Sequence, residues 1–176
     1  MQGERMDHGT YLELDGRPAV RFERQYPHPI ERVWSSISTT EGLGHWFPAT
    51  VTIDLRVGGE VLFGGDPHTD DHAGTVLACD PPHRLAFTWG GDEVHLELEE
   101  LGRTGCRVVL VNVLERRDAA ARNAAGWSVC LAELDRYQAG GVAAGPHSAS
   151  ALPWQPFYES YVAAGLPSGA PIPDPA

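Results

Sequence analysis

The sequence predicts an α+β fold in which a curved antiparallel sheet wraps around one long C-terminal helix, with two short helices after the first strand. An Asp-Gly turn pair, Asp15-Gly16, separates two strand-like runs near the N-terminus and indicates a hairpin. Further strand-like runs, separated by turns rich in Gly and Pro, fill residues 49–116. One helical pattern then extends from about Asp118 to about Gln138, where Gly140-Gly141 ends it.

The first short helix follows the hairpin. Pro29 suits the first position of a helix, and apolar residues then recur at helical spacing. The run Ser38-Thr39-Thr40-Glu41 matches a capping box, which predicts a second short helix that ends near Gly44.

Trp46 and Phe47 come directly after the second short helix. Leaving such large aromatic side chains in water is costly, so we expect them where the short helices meet the sheet. They either plug one end of the core or line the mouth of a ligand cavity.

The later strands are short and closely spaced, which is typical of an antiparallel meander. Leu85, Phe87 and Trp89 share one face of their strand, whereas His95 and Glu97 lie on the polar face of the next strand. A single sheet has one apolar face to cover, and the long helix is the only predicted element able to cover it. This is a helix-grip arrangement, which often leaves a cavity between sheet and helix.

The chain is predicted to consist of one domain with a segment on either side. Residues 1–9 are expected to be disordered, residues 10–140 form the helix-grip domain, and residues 141–176 form a flexible linker and an aromatic-rich tail. The tail either folds back over the domain or docks on another subunit as a homodimer contact. Its aromatic residues are Trp154, Phe157, Tyr158 and Tyr161.

Composition limits the classes of function. The net charge of −11 disfavours binding to nucleic acid and to anionic membranes, and the absence of Lys excludes lysine Schiff-base chemistry. No apolar run is long enough to span a membrane, and no secretory signal is visible. Cys79, Cys106 and Cys130 form no CxxC pair, so we expect reduced thiols and a cytoplasmic location.

Four stretches resemble a known family: FERQYPHPIERVWSSISTTEGLGHWFP, GGEVLFGG, GTVLACDPPHRLAFTW and NAAGWSVCLAELDRY. They are similar to the domain shared by activators of the Hsp90 ATPase and their bacterial homologues, within the START/Bet v 1-like superfamily that includes polyketide cyclases. The resemblance spans roughly Ala19 to Tyr137. Bacterial relatives often carry His where this chain has Asn123, and the extra N-terminal domain of eukaryotic activators is not seen in this sequence. The resemblance implies the helix-grip fold and leaves the ligand open.

The first functional hypothesis is binding of a small hydrophobic molecule, such as a lipid, a polyketide or an aromatic metabolite, between sheet and helix. The alternatives are a cyclase- or dehydrase-like enzyme using the same pocket, and a chaperone-associated interaction module. The expected ligand-binding residues are apolar or amide side chains from every layer: Trp34, Trp46, Phe47, Phe63, Phe87, Trp89, Asn112, Asn123, Trp127 and Leu131.

Catalytic and metal chemistry have weaker support. His45 is an acid/base candidate if it points inward, His95 is expected to be exposed, and Asn112 in an apolar strand needs partners that a polar ligand or a neighbouring strand can supply. Neighbouring ligands on one loop rarely converge on a metal, so we expect no metal site and no cofactor. The loop in question contains His68, Asp70, Asp71 and His72.

Overall fold

The computed structural model describes residues 8–172. Of residues 1–9, which were expected to be disordered, residues 1–7 lie outside the described residues, as do residues 173–176 of the C-terminal tail. Gly9 is buried, and its backbone N–H donates to Tyr161 Oη at 2.9 Å.

Eight strands form one antiparallel sheet in the order β1-β2-β8-β7-β6-β5-β4-β3. This confirms the predicted sheet, in which most strands pair with their neighbours in sequence. The bounds are β1 Thr10–Leu14, β2 Arg17–Tyr26, β3 Thr50–Ile53, β4 Glu60–Gly64, β5 His72–Asp80, β6 Arg84–Trp89, β7 Asp92–Leu101 and β8 Gly105–Val113.

The β1–β2 hairpin confirms the Asp-Gly turn. Asp15 has φ 51° and Gly16 has φ 78°, so both central residues of the turn are left-handed. That is the backbone of a type I′ turn, whose twist matches the twist of the paired strands.

Two short helices, α1 Ile30–Ser38 and α2 Thr40–Leu43, follow β2. The predicted capping box is shifted by one residue: the Thr39 side chain accepts a hydrogen bond from Gly42 N at 2.9 Å. Ser38 Oγ instead donates to Trp34 O at 2.7 Å, as a side chain within the last turn of α1. Ser38 is therefore part of the first helix, and Thr39 begins the second.

The long helix, α3 Ala120–Gln138, follows a 3₁₀ turn at Arg117–Ala119 and covers the apolar face of the sheet. Its buried side chains join those of β2, β6, β7 and β8 in one core. Together the sheet and α3 confirm the predicted helix-grip fold. Among residues 8–172, no helix combines the length and the apolar character needed to cross a membrane.

Residues 141–172, here called the C-terminal segment, lie against the domain instead of extending away as a flexible linker. The segment contains α4 Trp154–Ala163, which packs on α3. Gly145 N donates to the buried carboxylate of Glu133 at 3.0 Å. Tyr161 is buried in the core and shares a hydrogen bond of 2.6 Å with Ser128 Oγ on α3. The aromatic tail thus lies folded back on the domain, which is one of the two arrangements expected for it.

Candidate functional site

The aromatic interior between sheet and α3 is filled with side chains where we expected a cavity. Phe47 is 3% exposed, and its ring centroid lies 5.5–6.0 Å from those of four aromatic side chains. These neighbours are Phe63, Phe87, Trp89 and Trp127. Trp46 is fully buried beside Phe47 and donates Nε1–H to Ser36 O at 2.9 Å. Both residues of the Trp-Phe pair therefore plug the core.

A cavity of about 690 Å³ lies elsewhere, between α3, the loop at residues 66–68 and the C-terminal segment. One wall carries Trp89 and Trp127, whose ring centroids are 5.5 Å apart. The C-terminal segment contributes Trp154 and Tyr158, which stack on each other at 4.8 Å. No ring contact joins the two pairs within the described part of the chain. The cavity is therefore an unfilled space bounded by aromatic pairs from two different parts of the chain.

Gly126 has no side chain to occupy the space where α3 lines this cavity. A Cβ added at Gly126 would meet no atom within 4 Å outside its own helix, although the residue lies in the middle of α3. Gly in a helix interior costs roughly 0.5–1 kcal/mol relative to Ala, so its presence there gives space to the cavity at the expense of the helix.

A buried network of polar side chains supports one side of the cavity. Asn112 is fully buried, and its Oδ1 accepts hydrogen bonds from Trp127 Nε1 and Asn123 Nδ2, each at 3.0 Å. Asp92 Oδ2 accepts from both amides, at 3.1 Å from Asn112 Nδ2 and 3.0 Å from Asn123 Nδ2. Burial raises the pKa of the Asp92 carboxyl, and the hydrogen bonds from Glu115 N and Asn112 oppose that rise. The network fixes the orientation of the Trp127 indole.

A second polar group borders the cavity where the 66–68 loop meets the C-terminal segment. Asp66 Oδ1 accepts from His68 N at 2.8 Å and lies 3.7 Å from His147 Nε2, and His147 also bonds to Pro48 O at 2.9 Å. The rings of His68 and His147 are 5.5 Å apart. Sequence reasoning missed this group, since nothing in the local pattern connects the loop with His147.

Three of the expected ligand-binding residues line the cavity: Trp89, Asn123 and Trp127. The other expected residues do not line it, and most of them are core or network residues. These are Trp34, Trp46, Phe47, Phe63, Phe87, Asn112 and Leu131.

The residues considered for catalysis do not line the cavity. His45 bonds through Nδ1 to Ala143 O at 2.9 Å and stacks on Tyr137, with 4.1 Å between centroids, so it faces the C-terminal segment and not the cavity. His95 is half-buried on the polar face of β7 and bonds to Glu93 at 2.9 Å. Asn112 obtains its partners from neighbouring protein groups.

The loop at residues 68–72, where we expected no metal site, contributes packing contacts. His72 stacks on Phe63 with 4.8 Å between ring centroids, and its Nδ1 bonds to Asp70 O at 3.0 Å. In the described residues, no three His, Cys, Asp or Glu side chains lie close enough to hold a metal ion. The three cysteines carry free thiols, and Cys130 lines the cavity.

Several solved structures have a similar fold. The conserved protein of unknown function EF2215 from Enterococcus faecalis aligns with TM-score 0.71 and 20% identity, covering 89% of each chain. CalU16 from Micromonospora echinospora aligns with TM-score 0.66 and 23% identity, over 88% of this chain and 94% of its own. The protein encoded by gene BPP1335 of Bordetella parapertussis aligns with TM-score 0.59 and 26% identity, covering 96% of each chain.

No curated protein matches this chain in sequence. Residues 27–139, more than half of the chain, match the sequence model of a family described as Activator of Hsp90 ATPase homolog 1-like protein. Their span includes α1, α2, strands β3–β8 and α3, which are the elements that build the aromatic interior and one wall of the cavity. The chain therefore belongs to the Activator of Hsp90 ATPase homolog 1-like family, as its sequence motifs predicted.

Proposed function

We propose that this protein binds a small, mainly apolar aromatic molecule in the cavity between α3 and the C-terminal segment. The observation that carries the proposal is a cavity of about 690 Å³ bounded by Trp89 and Trp127 on one side and by Trp154 and Tyr158 on the other. Ligand sites commonly have volumes of about 300–1,000 Å³ and walls that are mostly apolar with a few polar groups.

The walls favour a flat ring system. Aromatic side chains attract other rings in offset-stacked or edge-on arrangements, at about 0.5–1.5 kcal/mol per pair beyond the area buried. Trp127 is held by its indole hydrogen bond to Asn112, so one face of the site is oriented before any ligand enters. Such preorganisation reduces the entropy cost of binding.

Calorimetric titration of the full chain with naphthalene tests the proposal. We expect saturable binding that Trp154→Ala weakens about tenfold, because the variant removes one aromatic wall. Trp34→Ala is the matched control: Trp34 is also half-buried, but it lies on α1 and does not line the cavity. Equal loss of affinity in the two variants, or no binding to the wild type, would contradict the proposal.

Native mass spectrometry of gently purified protein, followed by denaturation, provides a complementary test. A reproducible extra mass that is lost on denaturation would identify a retained ligand, and its elemental formula would give the chemical class.

A second candidate is a chaperone-associated interaction module, which the family description favours. This function would use the surface, and the net charge of −11 calls for a basic patch on the partner. A pull-down with the Hsp90 homologue of the same organism tests it, with an unrelated acidic protein as control. Capture that is equal for the two proteins would rule it out.

The enzymatic alternative has no comparable support. Its candidate residues, His45 and Asn112, bond to Ala143 O and to the Asp92 network respectively. Ligand binding without an assigned reaction is therefore the function proposed.

A further inference from the structure

Two of the charged side chains that line the cavity, Arg122 and Asp66, lie at different positions along the axis of α3. Arg122 and Cys130 both line the cavity, so at a rise of about 1.5 Å per residue it extends about 12 Å along the helix axis. Asn123 lies next to Arg122, whereas Asp66 is near Cys130. Burial raises the pKa of the Cys130 thiol, and the negative charge of Asp66 adds to the rise. One end of the cavity therefore carries a cation and the other a carboxylate.

The cationic end is formed by Arg122. Its Nε donates to Asn123 Oδ1 and its Nη1 donates to Pro171 O, each at 3.1 Å, and both acceptors are neutral. Burial raises the pKa of Asp92, and the charge of Arg122 is among the effects that oppose the rise. Even so, no carboxylate of residues 8–172 forms an ion pair with Arg122. A half-buried guanidinium without an ionic partner among the described residues is suited to an anionic group on a ligand.

The opposite end is formed by Asp66, whose side chain is only 12% exposed. Its Oδ1 accepts from His68 N, whereas Oδ2 accepts no hydrogen bond within the described residues. A carboxylate oxygen is an acceptor only, so it favours a ligand group that donates, such as a phenolic hydroxyl.

The distance between the two ends makes their charges compatible with one ligand. Arg122 and Cys130, beside which Asp66 lies, are about 12 Å apart along the helix axis. An anionic group bound at Arg122 is therefore not in contact with the Asp66 carboxylate, and an elongated ligand can reach both. The aromatic pairs Trp89–Trp127 and Trp154–Tyr158 line the same cavity and favour rings between the two polar groups.

We infer that the ligand is an elongated aromatic acid, with its carboxylate on Arg122, its rings between the aromatic walls and a hydroxyl group donating to Asp66. This inference rests on the proposed function and adds the chemical class of the ligand. It assigns Arg122 and Asp66 as specificity-determining residues.

A set of four probes tests the inference by calorimetry on the full chain: naphthalene, 2-naphthol, 2-naphthoate and 6-hydroxy-2-naphthoate. We expect 6-hydroxy-2-naphthoate to bind most tightly. Arg122→Gln should weaken the two acids about tenfold and leave 2-naphthol unchanged, because only the acids lose a charge-assisted hydrogen bond between carboxylate and guanidinium. Asp66→Asn should weaken the two hydroxylated probes selectively.

Arg116→Gln is the matched control for charge. Arg116 precedes α3, is exposed and ion-paired with Asp118, and does not line the cavity. We expect this variant to leave all four affinities unchanged. Circular dichroism and the unfolding midpoint of each variant exclude a general loss of structure as the cause of weaker binding.

The outcomes separate the two proposals. If naphthalene binds but Arg122→Gln weakens every probe equally or none, the inferred ligand class is wrong and the proposed function stands. If 2-naphthol binds as tightly as the acids, the role of Arg122 is wrong. If none of the four probes binds, both proposals fail.

Discussion

Two aromatic regions of this molecule lie on either side of Trp127 and differ in how completely they are filled. Around Phe47, rings from the α2–β3 loop, the sheet and α3 contact one another at 5.5–6.0 Å. Beyond Trp127, the pairs Trp89–Trp127 and Trp154–Tyr158 bound an empty space of about 690 Å³. Aromatic content alone therefore does not distinguish a filled core from an open cavity. In the core, the rings that contact Phe47 come from the sheet and α3, whereas the cavity lies between rings of the domain and rings of the C-terminal segment.

The largest expected effect comes from opening the filled region. Phe47→Ala should lower the free energy of unfolding by about 3–5 kcal/mol, because truncating a buried Phe loses its apolar transfer energy and leaves a cavity. Urea unfolding at equilibrium measures it. Trp154→Ala, at the edge of the open region, should cost much less. Comparable losses in the two variants would remove the distinction between the regions.

The next effect comes from the network that separates the regions. Asn112→Ala should cost about 2–3 kcal/mol, since it leaves Trp127 Nε1 and Asp92 short of partners in a buried place. The same urea experiment measures the loss, and tryptophan emission should shift as Trp127 becomes less constrained. A loss below about 0.5 kcal/mol, the range of an ordinary surface substitution, would show that the network contributes little.

A stabilising substitution should sharpen the comparison. Gly126→Ala is expected to raise the free energy of unfolding by roughly 0.5–1 kcal/mol, because the new Cβ enters open space and Ala favours a helix. Gly126→Leu should fill the cavity and reduce naphthalene affinity. Gly42→Ala is the control: its Cβ would lie 2.4 Å from Ser35 O, so it should destabilise. Unchanged affinity in Gly126→Leu would argue against the cavity as the binding site.

The smallest effects concern pH and two adjacent acids of β7. Burial raises the pKa of Asp92 above its ordinary 3.8, whereas hydrogen bonding to His95 and contact with Arg17 lower the pKa of Glu93 below 4.5. We therefore compare the unfolding free energy of wild type with that of Asp92→Asn and with that of Glu93→Gln, from pH 3 to pH 7. The two differences should change with pH in opposite directions.

The signs follow from proton linkage. For Asp92, the folded state holds its proton more tightly, so the stability of wild type relative to Asp92→Asn should fall as pH rises from about 3.8 through the raised pKa. For Glu93, the stabilisation is present above about 4.5 and is lost as pH falls through the lowered pKa. Parallel slopes for the two variants would contradict these assignments.

Local patterns predicted the fold, although not that the aromatic interior would be filled. The Asp-Gly turn, the alternation of the strands and the amphipathic α3 depend on residues near one another in sequence, and each was found where expected. The second helix cap was displaced by one residue, because Ser38 and Thr39 are both good caps and only the backbone decides between them.

The open region was not predicted correctly because one of its walls comes from long-range contacts. His147 bonds to Pro48 O across 99 residues, and a Gly- and Ala-rich stretch with no periodicity gave no sign that it would lie against the domain. Of the residues predicted to bind a ligand, Trp89, Asn123 and Trp127 line the cavity, whereas Arg122 and Asp66, which also line it, were not among those predicted. Charged residues on a helix or a loop look the same in sequence whether they face solvent or a cavity.

Tyr161 joins this distant wall to the rest of the molecule, through Ser128 on α3 and through the backbone of Gly9. On the ribosome, a nascent chain that has grown as far as Gln138 contains every residue of the filled aromatic region, but it has not yet received Trp154 or Tyr158. A chain of that length lacks both the second aromatic wall of the cavity and Tyr161, the buried residue that joins this wall to α3. The proposed ligand site is therefore completed only by residues that are synthesised after those of the filled aromatic region.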